Sequence, residues 1–170
     1  PHYRAARNTL ETRIAFLPYL YNLMRYYHKT GISPLRPMYY EFPRQKMAYA
    51  TDRYGNFSQF MLGKSLIVSP VVRKATAEQG HLAENKVWIP PGCWYEMTLG
   101  RTLYGPRIVT TLYEMEEIPV FVRCGAALPM LNTKLSSNLF GLSSRAYEHL
   151  EVKIFPSLGT KSGKTQIYED

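Results

Sequence analysis

Carboxylate side chains are the first candidates for acid–base chemistry, and this sequence offers few that could act as a pair. It contains 13 acidic residues, of which only Asp52 and Asp170 are aspartates. Glu114, Glu116 and Glu117 form a cluster just before an apolar run, where acidic groups usually belong to a solvated turn. General acid–base catalysis needs titratable groups held close to one another, so we expect no catalytic residue within this sequence.

The spacing of histidine and cysteine indicates neither a metal site nor an activated nucleophile. The histidines are His2, His28, His81 and His149, and they follow neither the H-x-x-x-H nor the H-E-x-x-H pattern of zinc ligands. Cys93 and Cys124 lack a zinc-type spacing and could form at most one disulfide, which leaves the redox compartment open. The sequence has no G-x-S-x-G elbow, phosphate loop or dinucleotide fingerprint. We therefore expect no metal and no cofactor.

The composition is that of a globular chain with a hydrophobic core. Hydrophobic residues make up 45% and aromatic residues 14% of the 170 positions, which excludes intrinsic disorder. No apolar run approaches the roughly 18 to 20 residues that cross a bilayer, so we expect no membrane span. The formal net charge is +8, but the basic residues are scattered singly or in pairs. That pattern predicts no nucleic-acid partner.

A long helical segment should open the chain. Between residues 3 and 30, apolar side chains recur at spacings of three and four, which draws one stripe along a helix. The stripe consists of Leu10, Ile14, Leu17, Tyr21 and Met24. Pro18 interrupts the backbone hydrogen bonds, so we expect a kink or two abutting helices there, and Gly31 should end the helix. Such a stripe needs a partner surface.

After Gly31, short apolar runs separated by glycine and proline are typical of strands and turns. The predicted strands are Arg36–Phe42, Ser65–Val72, Lys86–Ile89, Trp94–Leu99, Arg107–Leu112 and Ile118–Val122. The predicted turns are Pro90–Gly92, Gly100 and Gly105–Pro106. Turn signals at this spacing favour an antiparallel β-sandwich. The predicted fold class is therefore mainly β, with an N-terminal helical segment.

A second β unit is predicted near the end of the chain. Residues 132–144 are rich in serine and asparagine and indicate a linker. Leu150–Phe155 alternates as a strand does, and Lys164–Tyr168 begins a partner strand. We therefore expect the first strands of a further β domain, with an unpaired edge.

Several short motifs occur in the order in which glycoside hydrolase family 31 carries them, and the chain resembles that family over nearly its whole length. The motifs are RIAFLPYLY (13–21), HKTG (28–31), LRPM (35–38), EFP (41–43), QFMLG (59–63), LIVSPV (66–71), VWIPPGCWYE (87–96), IPVFVRCG (118–125) and QIYED (166–170). The family's corresponding patterns include R-Y-x-L-L-P-Y-L-Y, Y-L-P-x-G-x-W-Y-D and I-P-V-F-V-R-x-G. The shared order carries more weight than any single match.

The resemblance implies a domain organisation. In that family a TIM barrel carries the catalysis, and two β-sandwich domains follow it. Residues 1–50 would then be the end of the barrel, with a long helix plus a strand, and 51–131 the proximal β-sandwich. Residues 132–146 would be a linker, and 147–170 the start of the distal β domain.

The resemblance also implies an enzyme that hydrolyses α-glucosidic bonds with retention of configuration. The family's two catalytic aspartates lie in motifs upstream of the matched region, and this sequence contains neither motif. Retaining hydrolysis needs two carboxyl groups about 5 to 5.5 Å apart, and Asp52 and Asp170 are poor candidates for that pair. The implied partners are the remainder of the barrel, which this segment would support, and a carbohydrate substrate.

Departures from the family pattern leave the substrate open. Phe57 and Ser58 stand where the family usually has two acidic residues, and residues 75–85 resemble an insertion. The substrate could be of the maltose, isomaltose, N-glycan or xyloside type, and some members of the family act as lyases or transferases.

Three aromatic side chains support an alternative function. Trp88, Trp94 and Tyr95 lie on predicted strands and could stack on sugar rings, as in a carbohydrate-binding β-sandwich module without catalysis. Aromatic residues between hydrophobic neighbours more often pack in a core, and an interaction module with no sugar role is a further possibility. Exposed coplanar rings would favour the binding module, whereas buried rings would favour a scaffold.

One modification site is predicted. Asn56, Phe57 and Ser58 form the only N-x-S/T sequon, so Asn56 would be an accessible acceptor in a protein that enters the secretory pathway. The sequence leaves the cellular location open, and this sequon favours the secretory pathway.

Overall fold

The structure is a computed structural model that describes residues 2–50, 58–77, 80–135 and 149–156. The chain forms two compact units. The first unit combines residues 1–34 with residues 125–170, and the second consists of residues 35–124. Asp52, Asn56 and Asp170 lie outside the described residues, as does the predicted strand Lys164–Tyr168.

Two abutting helices open the first unit, as the position of Pro18 predicts. Helix α1 spans His2–Ala15 and helix α2 spans Leu17–Thr30, with Phe16 between them and Pro18 in the first turn of α2. Proline is tolerated in a first turn because its missing N–H would have no partner there. Gly31 ends α2 in the left-handed conformation, with φ of 73°, and its N–H donates to the Tyr27 carbonyl at 2.7 Å.

The second unit is built on a six-stranded antiparallel sheet. Its strands are β1 (Leu35–Arg36), β2 (Phe60–Leu62), β3 (Leu66–Val68), β4 (Ala83–Glu96), β5 (Arg101–Tyr113) and β6 (Val120–Arg123). Their order in the sheet is β1-β2-β3-β6-β4-β5, so β6 lies between two strands that precede it in sequence. A short helix, α3 (Met38–Glu41), and a 3-10 turn (Lys46–Tyr49) lie between β1 and β2.

Two of the predicted turns are wrong, and one is confirmed. The segment Pro90–Gly92 lies inside β4, and Gly105–Pro106 lies inside β5. Gly92 pairs with Gly105, and the register shifts between Ile89 and Gly92, so the proline-rich segment is a bulge within a continuous strand. A Cβ at position 105 would lie 2.6 Å from the Pro90 carbonyl carbon. Glycine at 105 is therefore what allows the two strands to approach, and Gly100 supplies the turn that joins them.

The predicted strand Arg36–Phe42 is wrong beyond Arg36. Pro37 has φ of −62° and immediately precedes the single helical turn α3, which the Phe42 N–H closes on the Met38 carbonyl at 3.0 Å. The aromatic run in this segment has the composition of a strand, but the fixed φ of proline suits a helix start equally well. Two further strands, β2 and one at 127–131, were not predicted at all.

The core of the second unit lies around two tryptophans. Trp88 and Trp94 are 2% and 0% exposed and pack with Met61, Ile67 and Phe121, which are fully buried. Burying each large apolar side chain contributes roughly 1.5 to 3 kcal/mol, so this cluster is a principal source of stability in the unit.

The first unit also contains a two-stranded antiparallel sheet. Strand β7 (Ala127–Leu131) pairs with β8 (Leu150–Ile154), and both helices contact β7. The predicted strand Leu150–Phe155 is therefore confirmed, as is the fold class of mainly β structure with an N-terminal helical segment. The domain boundaries proposed at 50, 131 and 146 stay predictions. In the described part of the chain, no helix is both long enough and apolar enough to span a membrane.

Candidate functional site

The glutamate cluster at 114–117 forms a turn. The Glu114 backbone N–H donates to the Glu117 carboxylate at 2.8 Å, a contact between residues three apart in sequence. The side chain of Glu114 is exposed, and those of Glu116 and Glu117 are partly exposed. This geometry caps a turn and does not bring two carboxylates to one reacting centre.

Several other carboxylates are held by arginines of the same unit. Glu41 forms an ion pair with Arg36, whose side chain is 3% exposed. Glu84 lies 3.8 Å from Arg73. Glu11 forms an exposed pair with Arg7 on α1 at 2.8 Å, at the four-residue spacing that stabilises helices. These carboxylates stabilise local structure.

Among the carboxylates that the structure describes, Glu96, at the end of β4, is the most deeply buried. Its side chain is 0% exposed, and it pairs across the hairpin with Arg101. The Arg101 Nε donates to Glu96 Oε2 at 2.6 Å, and the Tyr113 hydroxyl donates to Glu96 Oε1. The Arg101 guanidinium also donates to the Thr111 hydroxyl at 2.7 Å. Both carboxylate oxygens therefore have partners, as a buried charge requires.

The electrostatics of this cluster keep Tyr113 protonated. Burial and the hydrogen bond to Glu96 both raise the pKa of Tyr113 well above its ordinary value. A neutral phenol that donates to a fully buried carboxylate fixes the position of that carboxylate. We therefore assign the Glu96 cluster a structural role that joins the two ends of the β4–β5 hairpin.

The tryptophans predicted as alternative sugar-stacking residues are core residues. Trp88 and Trp94 are buried, Tyr95 is partly buried, and the Trp94 indole N–H donates to the Pro90 carbonyl at 3.1 Å. Phe42 packs edge-on against both indoles, with centroids 5.9 and 6.4 Å away. Rings in this arrangement present no open face to a ligand, so they favour the scaffold over the binding module.

Arg123 covers one side of this aromatic cluster. Its guanidinium lies 4.8 Å from the Trp94 ring centroid and 5.6 Å from the Phe42 centroid, within the range of cation–π attraction. Burial lowers the pKa of Arg123, with Glu41 acting in the opposite direction.

The neighbouring residues Cys93 and Cys124 form a disulfide with a Cα–Cα distance of 5.3 Å.

The histidines do not assemble a metal centre. His28 lies in the last turn of α2, where a cation would suit the helix dipole, and His149 is exposed just before β8. His81 adopts a positive φ of 64° beside Gly80. Within residues 2–50, 58–77, 80–135 and 149–156, no three His, Cys, Asp or Glu residues form a group that could hold a metal ion.

An open groove of about 280 Å³ lies in the first unit. It is lined by Ala15, Met130, Leu131, Asn132, Thr133, Lys134, Glu151 and Lys153. The Asn132 side-chain oxygen accepts from the backbone N–H groups of Lys134 and Leu135, so this amide organises the turn after β7. The charged side chains that line the groove are exposed, and nothing in their surroundings prepares them for catalysis.

The predicted apolar stripe is open to solvent over much of its length. Leu10, Leu17 and Met24 are 53%, 44% and 55% exposed, and Ile14 and Tyr21 are partly buried. The buried residues of α2 are Pro18 and Tyr19 instead. Helix α2 therefore buries Pro18 and Tyr19, and three of the five stripe residues are open to solvent.

Sequence reasoning missed one aromatic pair. Tyr39, on α3, and Tyr49, at the end of the 3-10 turn, have ring centroids 5.2 Å apart and planes inclined by 11°. The two side chains are 44% and 52% exposed. The two tyrosines are close in sequence, and that closeness could have suggested the pair. We predicted a strand over 36–42 instead of the short helix that carries Tyr39, so the pair was not recognised.

The family model described as "Glycosyl hydrolase family 31 C-terminal domain" matches residues 31–128. An isomaltosyltransferase of Sporosarcina globispora is 30% identical over 88% of this chain and 13% of its own length. Alpha-glucosidase 2 of Bacillus thermoamyloliquefaciens is 24% identical over 98% of this chain and 19% of its own length. A Flavobacterium johnsoniae dextranase solved with isomaltotriose has a TM-score of 0.75 and 26% identity, covering 91% of this chain and 17% of the dextranase. The chain thus spans less than a fifth of the length of each of these relatives.

Proposed function

This chain belongs to glycosyl hydrolase family 31, and from that membership we propose that it is the C-terminal segment of a larger enzyme that hydrolyses α-glucosidic bonds with retention. In that enzyme, residues 1–170 brace the catalytic barrel and supply no catalytic group. The observation that carries this proposal is the exposed part of the stripe on α1 and α2, formed by Leu10, Leu17 and Met24.

The names of several relatives support a glucoside as the substrate class, whereas two other relatives are alpha-xylosidases, of Saccharolobus solfataricus and Arabidopsis thaliana. An alpha-glucosidase and a dextranase both act on glucose-containing saccharides, and the isomaltosyltransferase moves a disaccharide of glucose. A retaining mechanism accommodates both outcomes, because a covalent glycosyl intermediate can pass to water or to a sugar hydroxyl. Water is the acceptor that we propose for the enzyme containing this chain.

The hydrogen bonds and ion pairs of the carboxylates support the proposal that this segment supplies no catalytic group. Retaining hydrolysis needs one ionised and one protonated carboxyl group about 5 to 5.5 Å apart. Glu96 is enclosed by Arg101 and Tyr113, and Glu41 is paired with Arg36. These carboxylates stabilise the fold, so we expect the two catalytic carboxyl groups to lie in the barrel.

The exposed stripe supports the bracing role. Burying a large apolar side chain contributes roughly 1.5 to 3 kcal/mol, so covering Leu10, Leu17 and Met24 is worth several kcal/mol. That is comparable with the total stability of a domain, about 5 to 15 kcal/mol. A helical segment with such a face is expected to dock on the remaining barrel, and without the barrel it should self-associate.

Light scattering tests the bracing role. Residues 1–170 should associate at concentrations where a protein beginning at Ile32 stays monomeric. Replacing Leu10, Leu17 and Met24 with glutamine should abolish the association. In a matched control, three exposed apolar residues of β5 are replaced with glutamine, and the association should not change. These residues are Tyr104, Ile108 and Leu112. A monomeric 1–170 chain, or association that the β5 variant abolishes, would show that the stripe is not a docking face.

An activity assay tests the catalytic part of the proposal. The isolated 170-residue chain should not turn over aryl α-glucosides, whereas the longer polypeptide should release the α-anomer first, as proton NMR can follow. Turnover by the isolated chain that disappears on replacing a single carboxylate would contradict the assignment. Release of the β-anomer by the longer polypeptide would refute retention.

A further inference from the structure

The pair formed by Tyr39 and Tyr49 is a preformed aromatic surface. The rings are nearly parallel, and each keeps about half of its area open to solvent. The part of each ring that stays open to solvent can contact a ligand. An aromatic face carries negative charge density and attracts polarised C–H groups such as those on the face of a pyranose ring.

Both tyrosines are fixed in place by their neighbours. Met38 and Ala48, adjacent in sequence to the two tyrosines, are 5% and 8% exposed and belong to the hydrophobic core. The Tyr49 hydroxyl donates to the Pro43 carbonyl at 3.1 Å, which orients that ring from its far edge. A surface held in this way loses little side-chain entropy when it binds.

The segment that joins the two tyrosines carries charge. Arg44 and Lys46 are both exposed, and they lie between the two rings in sequence. The cores of protein–protein interfaces are enriched in tyrosine and arginine but depleted of lysine, so Lys46 is the residue here that disfavours a protein partner. A sugar hydroxyl, by contrast, can accept hydrogen bonds from these cations while they stay solvated. The combination of open rings and exposed donors favours a saccharide over a protein surface.

We propose that Tyr39 and Tyr49 form a stacking site for an α-linked glucose oligosaccharide. The class of sugar rests on the proposed function, whereas the site itself rests on the ring geometry. Arg44 and Lys46, exposed on the segment that joins the two tyrosines, are the cations available to donate to hydroxyl groups of the sugar. No covalent step occurs at this site, and its role is to retain saccharide chains near the enzyme.

Saturation-transfer NMR with isomaltotriose at about 10 mM tests the site on the 170-residue chain, a concentration that reveals a dissociation constant as weak as about 1 mM. Replacing both tyrosines with alanine should weaken binding by about tenfold or more. Replacing both with phenylalanine keeps the aromatic faces and should retain binding within about threefold. Tyr104→Ala, which removes a tyrosine that is 53% exposed on β5, is the matched control and should bind as the parent chain does.

Circular dichroism shows whether each variant is folded. If the alanine variant is unfolded, the single change Tyr39→Leu decides, because it leaves the Tyr49 hydrogen bond in place and should still weaken binding. Absence of isomaltotriose binding by the parent chain, or equal binding by all variants, overturns the proposal.

The longer polypeptide separates this site from the proposed function. N-acetylimidazole should acetylate Tyr39 in that polypeptide, and isomaltotriose should protect it. Protection without sugar would mean that protein covers the pair, which overturns the site. An active hydrolase without sugar binding here would leave the proposed function intact, and sugar binding without hydrolysis would leave the site intact.

Discussion

Replacing Cys93 and Cys124 with alanine should lower the free energy of unfolding of the second unit by about 3.7 kcal/mol at 25 °C. The disulfide joins residues separated by 31 positions, and it connects β4 directly to the residue after β6. Outside this bond, the pairing of β4 with β6 consists of Trp94 with Arg123, Tyr95 with Val122 and Glu96 with Phe121.

The magnitude follows from the length of the closed loop. In the chain-entropy account, a cross-link removes conformations from the unfolded chain, and a loop of about 31 residues corresponds to roughly 12 cal/mol/K. At 298 K this entropy corresponds to a free energy of about 3.7 kcal/mol. A domain of ordinary stability, about 5 to 15 kcal/mol, would lose a large fraction of it but remain folded in dilute buffer.

Urea denaturation measures the effect. The parent chain, the parent chain with a dithiol reductant, and the double alanine variant should be compared by tryptophan fluorescence, because both tryptophans lie in the core of this unit. The reduced parent and the variant should unfold at similar urea concentrations, well below the oxidised parent. Reductant should not affect the variant, which controls for effects of the reagent.

A loss below about 1 kcal/mol would contradict the loop-closure account, because the short β4–β6 pairing would then be sufficient to restrict the chain without the bond. A loss confined to the alanine variant, with no change on reduction, would assign the effect to lost packing at the two sites. Only agreement between reduction and substitution supports the loop-closure account.

Two other substitutions test the interior of the second unit. Tyr113 has a raised pKa, so its stabilising contribution is complete below its unfolded pKa near 10 and should be lost as the pH rises above that value. Tyr113→Phe should remove this alkaline loss and cost about 1 to 3 kcal/mol at neutral pH, because Glu96 loses a donor, and urea titrations at several pH values would show both effects. Gly105→Ala should destabilise the unit by about 1 to 3 kcal/mol or more, because the added methyl group overlaps the Pro90 carbonyl. Calorimetry measures this loss, and an unchanged unfolding transition would contradict the described strand pairing.

Elements governed by local sterics could be predicted from the sequence. The end of α2 at Gly31 depends on one residue that can adopt a positive φ, and the break before Pro18 depends on the missing N–H of proline. The alternation of apolar and charged residues predicts the strand Leu150–Ile154. The ordered family motifs likewise required no tertiary information, and they led directly to the correct family.

The pairing of distant segments was decided by the tertiary structure alone. Pro90–Gly92 has the composition of a turn, yet the contact of Gly92 with Gly105 keeps it within a strand. Glu96 gave no signal in the sequence, because its burial depends on Arg101 and Tyr113 meeting it across the hairpin.

The same distinction separates the aromatic residues. Trp94 lies within a family-like motif and Tyr39 directly follows one, and only packing buries the first and exposes the second. Backbone conformation is set by neighbours within a few residues, which the sequence displays directly. Burial is set by residues far apart in the chain, and the free energy of those contacts exists only once the fold has brought them together.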